Sequence, residues 1–265
     1  MAARLAMVTG ASSGIGFELA KLFADDGYDV IVAADDDAIQ ASADKLGSGS
    51  GSGGVGVRAV QVDLRKPDDV ELLYRTVASD GRPLDAAVLN AGVGRAGRFV
   101  DGDLDMDLSI VDLNVRSTVH LAKLVLRDMA ARGDGKVLFT SSIAATMPGS
   151  HQTVYNASKS FTQSLAEALY DEMRDTGVTV TSLMPGPTET NFFRRANMLN
   201  TVVGRMPKDD PADVAKQGYD ALMKGDRKVV AESLTTKAMG LANRVLPDSV
   251  KAVANRLIAK PVGRS

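Results

Sequence analysis

Short runs of apolar residues recur along this chain, with longer amphipathic segments between them. The runs are continuous rather than alternating and are rich in Val, Leu and Ala: LAMVT (5–9), DVIVA (29–33), VRAVQV (57–62), AAVL (86–89), KVLFTS (136–141), VTVTSLM (178–184) and KVVA (228–231). Such runs are typical of strands buried on both faces of a parallel sheet. Repeated alternation of strand and helix predicts an α/β fold, a doubly wound parallel sheet of about seven strands with helices on both faces.

The segments between the runs have helical spacing. Phe161, Leu165, Ala168, Leu169 and Met173 follow an i, i+4, i+7, i+8 pattern. We predict long helices over residues 104–132 and 155–176 and a further helix over 211–224. The stretch GSGSGSGG (47–54) is predicted to be a flexible surface loop. Residues 1–231 are assigned to one domain, and residues 232–265 to a basic, amphipathic C-terminal helical extension.

Composition excludes several classes of protein. The chain has 0 Cys, which excludes disulfides, thiolate nucleophiles and zinc–cysteine sites and favours a cytoplasmic location. With only 2 His, we expect no metal site. The 31 Lys and Arg against 33 Asp and Glu leave none of the basic excess of a nucleic-acid-binding protein. No run approaches the roughly 18 apolar residues of a membrane span, so we predict no integral membrane segment.

A glycine-rich turn, TGASSGIG (9–16), follows the first predicted strand and opens a helix. Glycines let a phosphate approach the backbone, and the N–H groups and dipole of a helix start favour its negative charge. The turn therefore predicts a dinucleotide site, although its spacing, G-x-x-x-G-x-G, differs from the common G-x-G-x-x-G. The alternative is a tight turn with no ligand. The candidate residues are Thr9, Gly10, Ser12, Ser13, Gly14, Ile15 and Gly16.

An acidic run ends the second predicted strand, with Asp35, Asp36 and Asp37 in AADDDA. A carboxylate at this place accepts hydrogen bonds from the adenosine ribose and repels a 2′-phosphate. The run, with Asp35 as its candidate contact, therefore favours NAD over NADP. The alternative is that these aspartates cap the next helix.

Further motifs follow the later strands in a fixed order. VDL supplies Asp63 and Leu64, LNAG supplies Asn90, Ala91 and Gly92, DLNVR supplies Asn114, TSSIAA supplies Ser142, TVYNASKSF supplies Tyr155 and Lys159, and PGPTET supplies Pro185, Gly186, Thr188 and Thr190. From Leu5 to about Lys224 the motifs resemble those of the short-chain dehydrogenase/reductase family. The glycine turn matches the family's T-G-x-x-x-G-I-G without a mismatch, whereas Leu89 replaces the first asparagine of N-N-A-G.

The resemblance implies a Rossmann-like fold and an oxidoreductase that transfers a hydride between NAD or NADP and a carbonyl or secondary alcohol. It implies that Asp63 and Leu64 contact the adenine, that Asn90, Ala91 and Gly92 lie near the cofactor, and that the PGPTET residues lie beside the nicotinamide. It also implies a homodimer or homotetramer assembled on the two long helices. The alternative from another class is a catalytically silent nucleotide-binding regulator or scaffold.

The resemblance assigns catalysis to four residues: Asn114, Ser142, Tyr155 and Lys159. Tyr155 is the expected acid/base, with an unperturbed pKa of about 10. Lys159, one helical turn later, can place a positive charge near the phenol oxygen and lower its pKa. By the family's mechanism, Lys159 also binds the nicotinamide ribose hydroxyls and links Tyr155 to a water held near Asn114. Ser142 hydrogen-bonds the substrate oxygen and stabilises the charge that develops there.

The segment 185–207 is predicted to be a lid over the substrate. Its apolar residues favour a hydrophobic ketone or alcohol: Phe192, Phe193, Met198, Leu199, Val202, Val203 and Met206. Arg194, Arg195 and Arg205 interrupt this set and are either solvated or bound to an anionic group. The C-terminal extension is expected to cover the active site, contact another subunit or touch a membrane surface.

Overall fold

A seven-stranded parallel sheet forms the centre of the computed structural model, which describes residues 3–49, 54–231 and 248–259. The strands are β1 (Leu5–Thr9), β2 (Asp29–Ala34), β3 (Val57–Gln61), β4 (Leu84–Leu89), β5 (Gly135–Thr140), β6 (Val178–Pro185) and β7 (Lys228–Ala231). Their order is β3-β2-β1-β4-β5-β6-β7. The predicted doubly wound α/β fold is confirmed, and each predicted run contains a strand.

Helices connect the strands and cover both faces of the sheet. They are α1 (Gly14–Asp25), α2 (Ala38–Gly49), α3 (Pro67–Ala78), α4 (Leu104–Val111), α5 (Ser117–Arg132), α6 (Thr153–Glu172), α7 (Phe192–Arg195), α8 (Val202–Arg205), α9 (Pro211–Lys224) and α10 (Asp248–Ala259). A π-helical turn, Asp112–Arg116, joins α4 to α5. No helix among the described residues is long and apolar enough to cross a bilayer.

Apolar side chains pack on both faces of the sheet. Val8 belongs to the layer under α1, α2 and α9, whereas its neighbour Met7 belongs to the layer under α3, α5 and α6. In the first layer the ring of Phe23 packs edge-on against Tyr28 and Tyr219, at centroid distances of 5.1 and 5.0 Å. Successive side chains of a strand enter opposite layers, and both layers are apolar. The side chains at successive positions must therefore all be apolar, which explains the continuous apolar runs.

The strand order reverses at β1. This strand pairs with β2 on one side and with β4 on the other, so successive crossovers lead away from it in opposite directions. In doubly wound sheets such a reversal leaves a crevice at the carboxyl ends of the strands, where ligands bind. The glycine turn lies at this place because it directly follows β1.

The long helix predicted over 104–132 is confirmed in its bounds, since α4, the π-helical turn and α5 follow one another without a gap, and Asn114 in the turn bonds to the neighbouring loop. The helix predicted over 155–176 runs instead over Thr153–Glu172, because residues 173–177 form a turn. The lid contains the short helices α7 and α8. Helix α2 continues two residues beyond Gly47, since the buried Leu46 packs its last turns on the sheet. Residues 50–53 of the predicted glycine-serine loop lie outside the described residues.

The predicted C-terminal extension is described only in part. Residues 248–259 form α10, as expected for a helical extension, whereas 232–247 and 260–265 lie outside the described residues. Helix α10 contacts α8 of the lid, and Asn255 donates a hydrogen bond to the carbonyl oxygen of Ser150 at 2.9 Å. Part of the extension therefore packs against the predicted lid.

Candidate active site

The carboxyl ends of β1, β4, β5 and β6 open into one cleft. Most of the predicted cofactor-binding residues line it: Gly10, Ser12, Ser13, Gly14, Ile15, Gly16, Asp35, Asp63, Leu64, Asn90, Ala91, Gly92, Pro185, Gly186, Thr188 and Thr190. Ser142, Tyr155 and Lys159 line the same cleft. The fold thus brings the glycine turn and three of the four predicted catalytic residues together.

The glycine turn needs its glycines for steric reasons. Gly10 and Gly14 have φ values of 66° and 59°, which residues with a Cβ rarely adopt. A Cβ on Gly16 would lie 2.2 Å from the carbonyl oxygen of Gly10 and 2.5 Å from Nδ2 of Asn90. The Ser13 side chain makes no capping hydrogen bond to α1. The N–H groups at the start of α1 are therefore available to an anion in the cleft, which fits a dinucleotide diphosphate.

Thr9, one of the predicted cofactor contacts, does not line the cleft, and its contact with a cofactor stays a prediction. Its hydroxyl donates to the carbonyl oxygen of Val88 at 3.3 Å and accepts from the N–H groups of Asn90 and Ala91 at 3.0 and 3.1 Å. Asn90 donates to the carbonyl oxygen of Thr9 at 3.0 Å and accepts from the Thr140 hydroxyl at 3.1 Å. Thr9 and Asn90 hold β1, β4 and β5 together beneath the cleft.

Tyr155 and Lys159 lie one turn apart on α6, and their side chains are buried, with 8% and 6% exposed. Burial raises the pKa of Tyr155 to about 12, although the Ser142 hydroxyl opposes this shift. Burial lowers the pKa of Lys159 to about 8, and its Nζ donates to the carbonyl oxygen of Thr140 at 2.8 Å. The structure does not show the expected lowering of the Tyr155 pKa by Lys159, because desolvation of the phenol dominates.

Ser142 has two roles in the structure. It follows β5 in extended conformation, and its Oγ accepts a hydrogen bond at 3.1 Å from the N–H of Ala144, which caps the 3₁₀ turn Ile143–Thr146. The same hydroxyl donates to the carbonyl oxygen of Pro185 at 3.5 Å, and it acts to lower the pKa of the Tyr155 phenol against the effect of burial. The structural interpretation of Ser142 as a turn cap therefore applies, and its catalytic role stays a prediction.

Asn114 lies behind the cleft wall and does not line the cleft, and its catalytic role stays a prediction. Its Nδ2 donates to the carbonyl oxygen of Val93 at 2.8 Å and to Oγ of Ser158 at 2.9 Å, and its Oδ1 accepts from the N–H of Val93 at 2.9 Å. A Cβ on Gly92 would lie 3.3 Å from Asn114 Oδ1 and 3.1 Å from Lys159 Nζ. Asn114 therefore positions the backbone against which Lys159 lies.

Arg65 links the two acidic residues predicted at the adenosine end of the cleft. Its guanidinium donates to Asp63 at 2.6 Å and to Asp35 at 2.9 Å. The hydrogen bonds from Arg65 lower the pKa of Asp63 although burial opposes them. The Asp63 carboxylate is thus held in its ionised form by Arg65.

The neighbouring Asp36 connects the glycine turn to the lid. Its Oδ2 accepts from the hydroxyl of Ser12 at 3.0 Å and from Arg195 of α7 at 2.5 Å. Arg194, the preceding residue, donates instead to Asn191 at 2.9 Å. The lid arginines therefore differ: Arg195 is bound to an anionic group of the protein itself, across the cleft mouth.

The lid forms the apolar wall of the cleft beside Tyr155. The ring of Phe192 lies 5.2 Å from that of Tyr155, and a Cβ on Gly94 would lie 2.6 Å from Phe192 and 3.0 Å from Tyr155. Phe193, Ala196 and Met198 form a small buried cluster behind it. Because Gly94 has no side chain, the ring of Phe192 can pack against the ring of Tyr155.

Several residues of the site were not predicted as site residues. Gln152 could have been inferred, since it precedes Tyr155 by three positions at the start of α6. Thr140, Arg195 and Asn255 carry no local signal, because their roles depend on contacts between distant segments. Arg65 was likewise missed, and only its position two residues after Asp63 hints at its bond.

The family model described as short chain dehydrogenase matches residues 4–199. The chain belongs to the short chain dehydrogenase family. One relative within it, Oxidoreductase UcpA of Salmonella typhimurium, is 33% identical over 226 residues, which cover 83% of this chain and 80% of that protein.

Solved structures of short chain dehydrogenases share the fold. A short-chain dehydrogenase from Sphingobium yanoikuyae in complex with NADPH has a TM-score of 0.80 and 25% identity, covering 91% of this chain and 94% of that one. A family member from Burkholderia phymatum in complex with NAD has a TM-score of 0.81 at 20% identity, covering 99% and 98%. The second likeness, at this identity, concerns the fold alone.

Proposed function

We propose that the protein is an NAD(P)-dependent oxidoreductase that transfers a hydride between the nicotinamide and a hydrophobic ketone or secondary alcohol, with Tyr155 as the acid/base. The observation that carries this proposal is the burial of Ser142, Tyr155 and Lys159 in the cleft that begins at the glycine turn. The NADPH held by the Sphingobium yanoikuyae relative supports a nicotinamide cofactor.

The residues of the cleft fit such a cofactor. The start of α1 would bind the diphosphate, Asp35 the adenosine ribose, and Asp63 and Leu64 the adenine. At the other end, Lys159 would bind the nicotinamide ribose. NADH or NADPH, when bound there, supplies the hydride.

In the direction of reduction, Tyr155 would donate its proton to the carbonyl oxygen as the hydride reaches the carbon. A phenol whose pKa is about 12 is protonated at neutral pH, which is the form that reduction requires. Ser142 would donate a hydrogen bond to the same oxygen and stabilise its developing charge. Lys159, with a pKa of about 8, would return a proton to the phenolate from solvent.

The preference for NAD stays a proposal that rests on charge. Asp35 and Asp63 would repel a 2′-phosphate, and Arg65 beside them is already paired with both carboxylates. Separate titrations with NADH and NADPH test this preference. Tighter binding of NADPH would contradict it.

Assembly as a homodimer or homotetramer is also proposed. Large apolar side chains are exposed along α4 and the adjoining part of α6: Leu104, Met106, Leu108, Val111 and Phe161. Phe99 and Val100, just before α4, extend this exposed stripe. A contiguous apolar surface of this kind is typical of a protein interface. The cytoplasmic location stays a prediction from composition.

Replacement of Tyr155 by Phe tests the catalytic proposal. We expect turnover of cyclohexanones, acetophenones and aliphatic ketones to fall by about 10²- to 10⁴-fold, because the proton donor is lost. The affinity for NADH or NADPH should stay within about twofold of that of the parent. Tyr170→Phe, on the same helix, is the matched control and should retain full turnover.

Two outcomes would contradict this assignment. If Tyr155→Phe is as active as the parent, Tyr155 is not the acid/base. If the parent binds NADH or NADPH but turns over no carbonyl compound, the chain is a silent nucleotide-binding protein, which is the second candidate function.

A further inference from the structure

Two side-chain amides interrupt the apolar substrate end of the cleft. The surrounding wall is formed by Met147, Phe192, Phe193, Met198, Val203 and Ile258. Gln152, at the start of α6, and Asn255, on α10, line the same region, and only 8% and 3% of their surfaces are exposed. Buried amides in an apolar wall are costly unless their polar atoms find partners.

The orientation of the Gln152 amide follows from its neighbour. Its Nε2 lies 3.3 Å from the sulfur of Met198. A thioether accepts hydrogen bonds weakly and donates none, so the nitrogen must face the sulfur and the oxygen must face away. No residue that the structure describes donates a hydrogen bond to Gln152 Oε1.

The Asn255 amide is fixed in the same way. Its Nδ2 donates to the carbonyl oxygen of Ser150 at 2.9 Å, and a carbonyl oxygen only accepts. Within the described part of the chain, Oδ1 of Asn255 receives no hydrogen bond. Both residues line the cleft, so two amide oxygens without donors are within reach of a bound molecule.

We propose that Gln152 and Asn255 form the polar end of the substrate site and bind a hydrogen-bond donor, such as a hydroxyl group, on an otherwise apolar substrate. The substrate class is thus a hydroxyketone, or the diol on the alcohol side. Two acceptor oxygens select a donor, since an ether or a second ketone would leave both oxygens unpaired. This inference rests on the proposed function, because it concerns the molecule whose carbonyl Tyr155 protonates.

A series of cyclohexanones tests the inference. The probes carry a hydroxyl group, a methoxy group or no substituent at each ring position in turn. A methyl ether keeps the oxygen and loses the donor, although it adds a methyl group, and comparison with the unsubstituted ring shows the effect of added bulk. For at least one ring position we expect kcat/KM of the hydroxyl compound to exceed that of its methyl ether by about tenfold.

Two variants test whether the two amides cause this preference for the hydroxyl compound. Gln152→Met and Asn255→Leu keep the shape of the side chain and remove its acceptor, and each should reduce the ratio toward one. A circular dichroism spectrum and a thermal unfolding midpoint like those of the parent show that each variant is folded. Gln40→Met is the matched control, because the exposed Gln40 amide lies on α2, where it donates to Asp44, and the ratio should not change.

Equal kcat/KM for hydroxyl compounds and ethers with the parent would overturn the inference, and this result needs no variant. A hydroxyl preference that survives in both variants would also overturn it. Failure of the proposed function is distinct, since it would appear as no turnover of any carbonyl compound with either cofactor.

Discussion

Lys159 gives the sharpest quantitative prediction, because its ammonium is buried without a carboxylate partner among the described residues. Burial lowers its pKa from 10.5 to about 8. At about 1.4 kcal/mol for each tenfold change, a protonated Lys159 reduces the free energy of unfolding by about 3 kcal/mol at pH 7. We therefore expect Lys159→Met to be about 2 to 3 kcal/mol more stable than the parent at pH 7, after allowance for the lost hydrogen bond to Thr140.

The sign of the pH dependence follows from proton counting. Between the folded pKa of about 8 and the unfolded value of 10.5, the unfolded chain holds more protons than the folded one. The free energy of unfolding of the parent should therefore rise by about 2 kcal/mol from pH 8 to pH 10. Above pH 10 the raised pKa of Tyr155 acts in the opposite direction, because the unfolded tyrosine ionises first.

The assay is urea unfolding at pH 7, 8, 9 and 10. Circular dichroism is the suitable signal because the chain has 0 Trp. Lys123→Met, at an exposed position on α5, is the control and should follow the parent at every pH. In Lys159→Met the rise from pH 8 to pH 10 should disappear, and turnover should fall although stability increases. Parallel curves for the parent and Lys159→Met would refute the reasoning.

Two further predictions concern the lid and the assembly. Arg195→Met removes the ion pair with Asp36, which contributes at most about 1 kcal/mol because it is partly exposed. We therefore expect NADH to dissociate about threefold faster from this variant, as measured by stopped-flow fluorescence. Arg194→Met is the control and should leave the dissociation rate unchanged. Equal dissociation rates in both variants would show that the pair does not hold the lid. Leu104→Arg places a charge in the exposed apolar stripe and should shift the mass measured by light scattering toward the monomer. A parent that is already monomeric contradicts the proposed assembly.

Much of the fold could be predicted because its causes are local. A strand covered on both faces needs apolar residues at successive positions, as Met7 and Val8 show, and this requirement is visible in the sequence. The glycine turn is visible for the same reason, since Gly10 and Gly14 adopt φ values that other residues avoid. Parallel strands bring their carboxyl ends to one edge, so the motifs that follow β1, β4, β5 and β6 had to meet there.

Not every residue that matches a family motif lines the cleft. Thr9 and Asn114 match their motifs, yet Thr9 ties β1 to β4 and Asn114 binds the backbone of Val93. A motif gives the position along the chain, whereas the direction of a side chain depends on the elements packed around it. The raised pKa of Tyr155 has the same origin, because desolvation depends on surrounding atoms that no local pattern describes.

The sequence by itself determined the α/β fold, the dinucleotide turn and the set of Ser142, Tyr155 and Lys159, since periodicity, backbone freedom and motif order are properties of neighbouring residues. Only the tertiary structure decided which distant segments meet at the cleft. The contacts of Arg195 with Asp36 and of Asn255 with Ser150 join parts of the chain far apart in sequence, and they form because packing of the lid and α10 brings these parts together. These contacts lie at the mouth of the cleft and beside its proposed polar end.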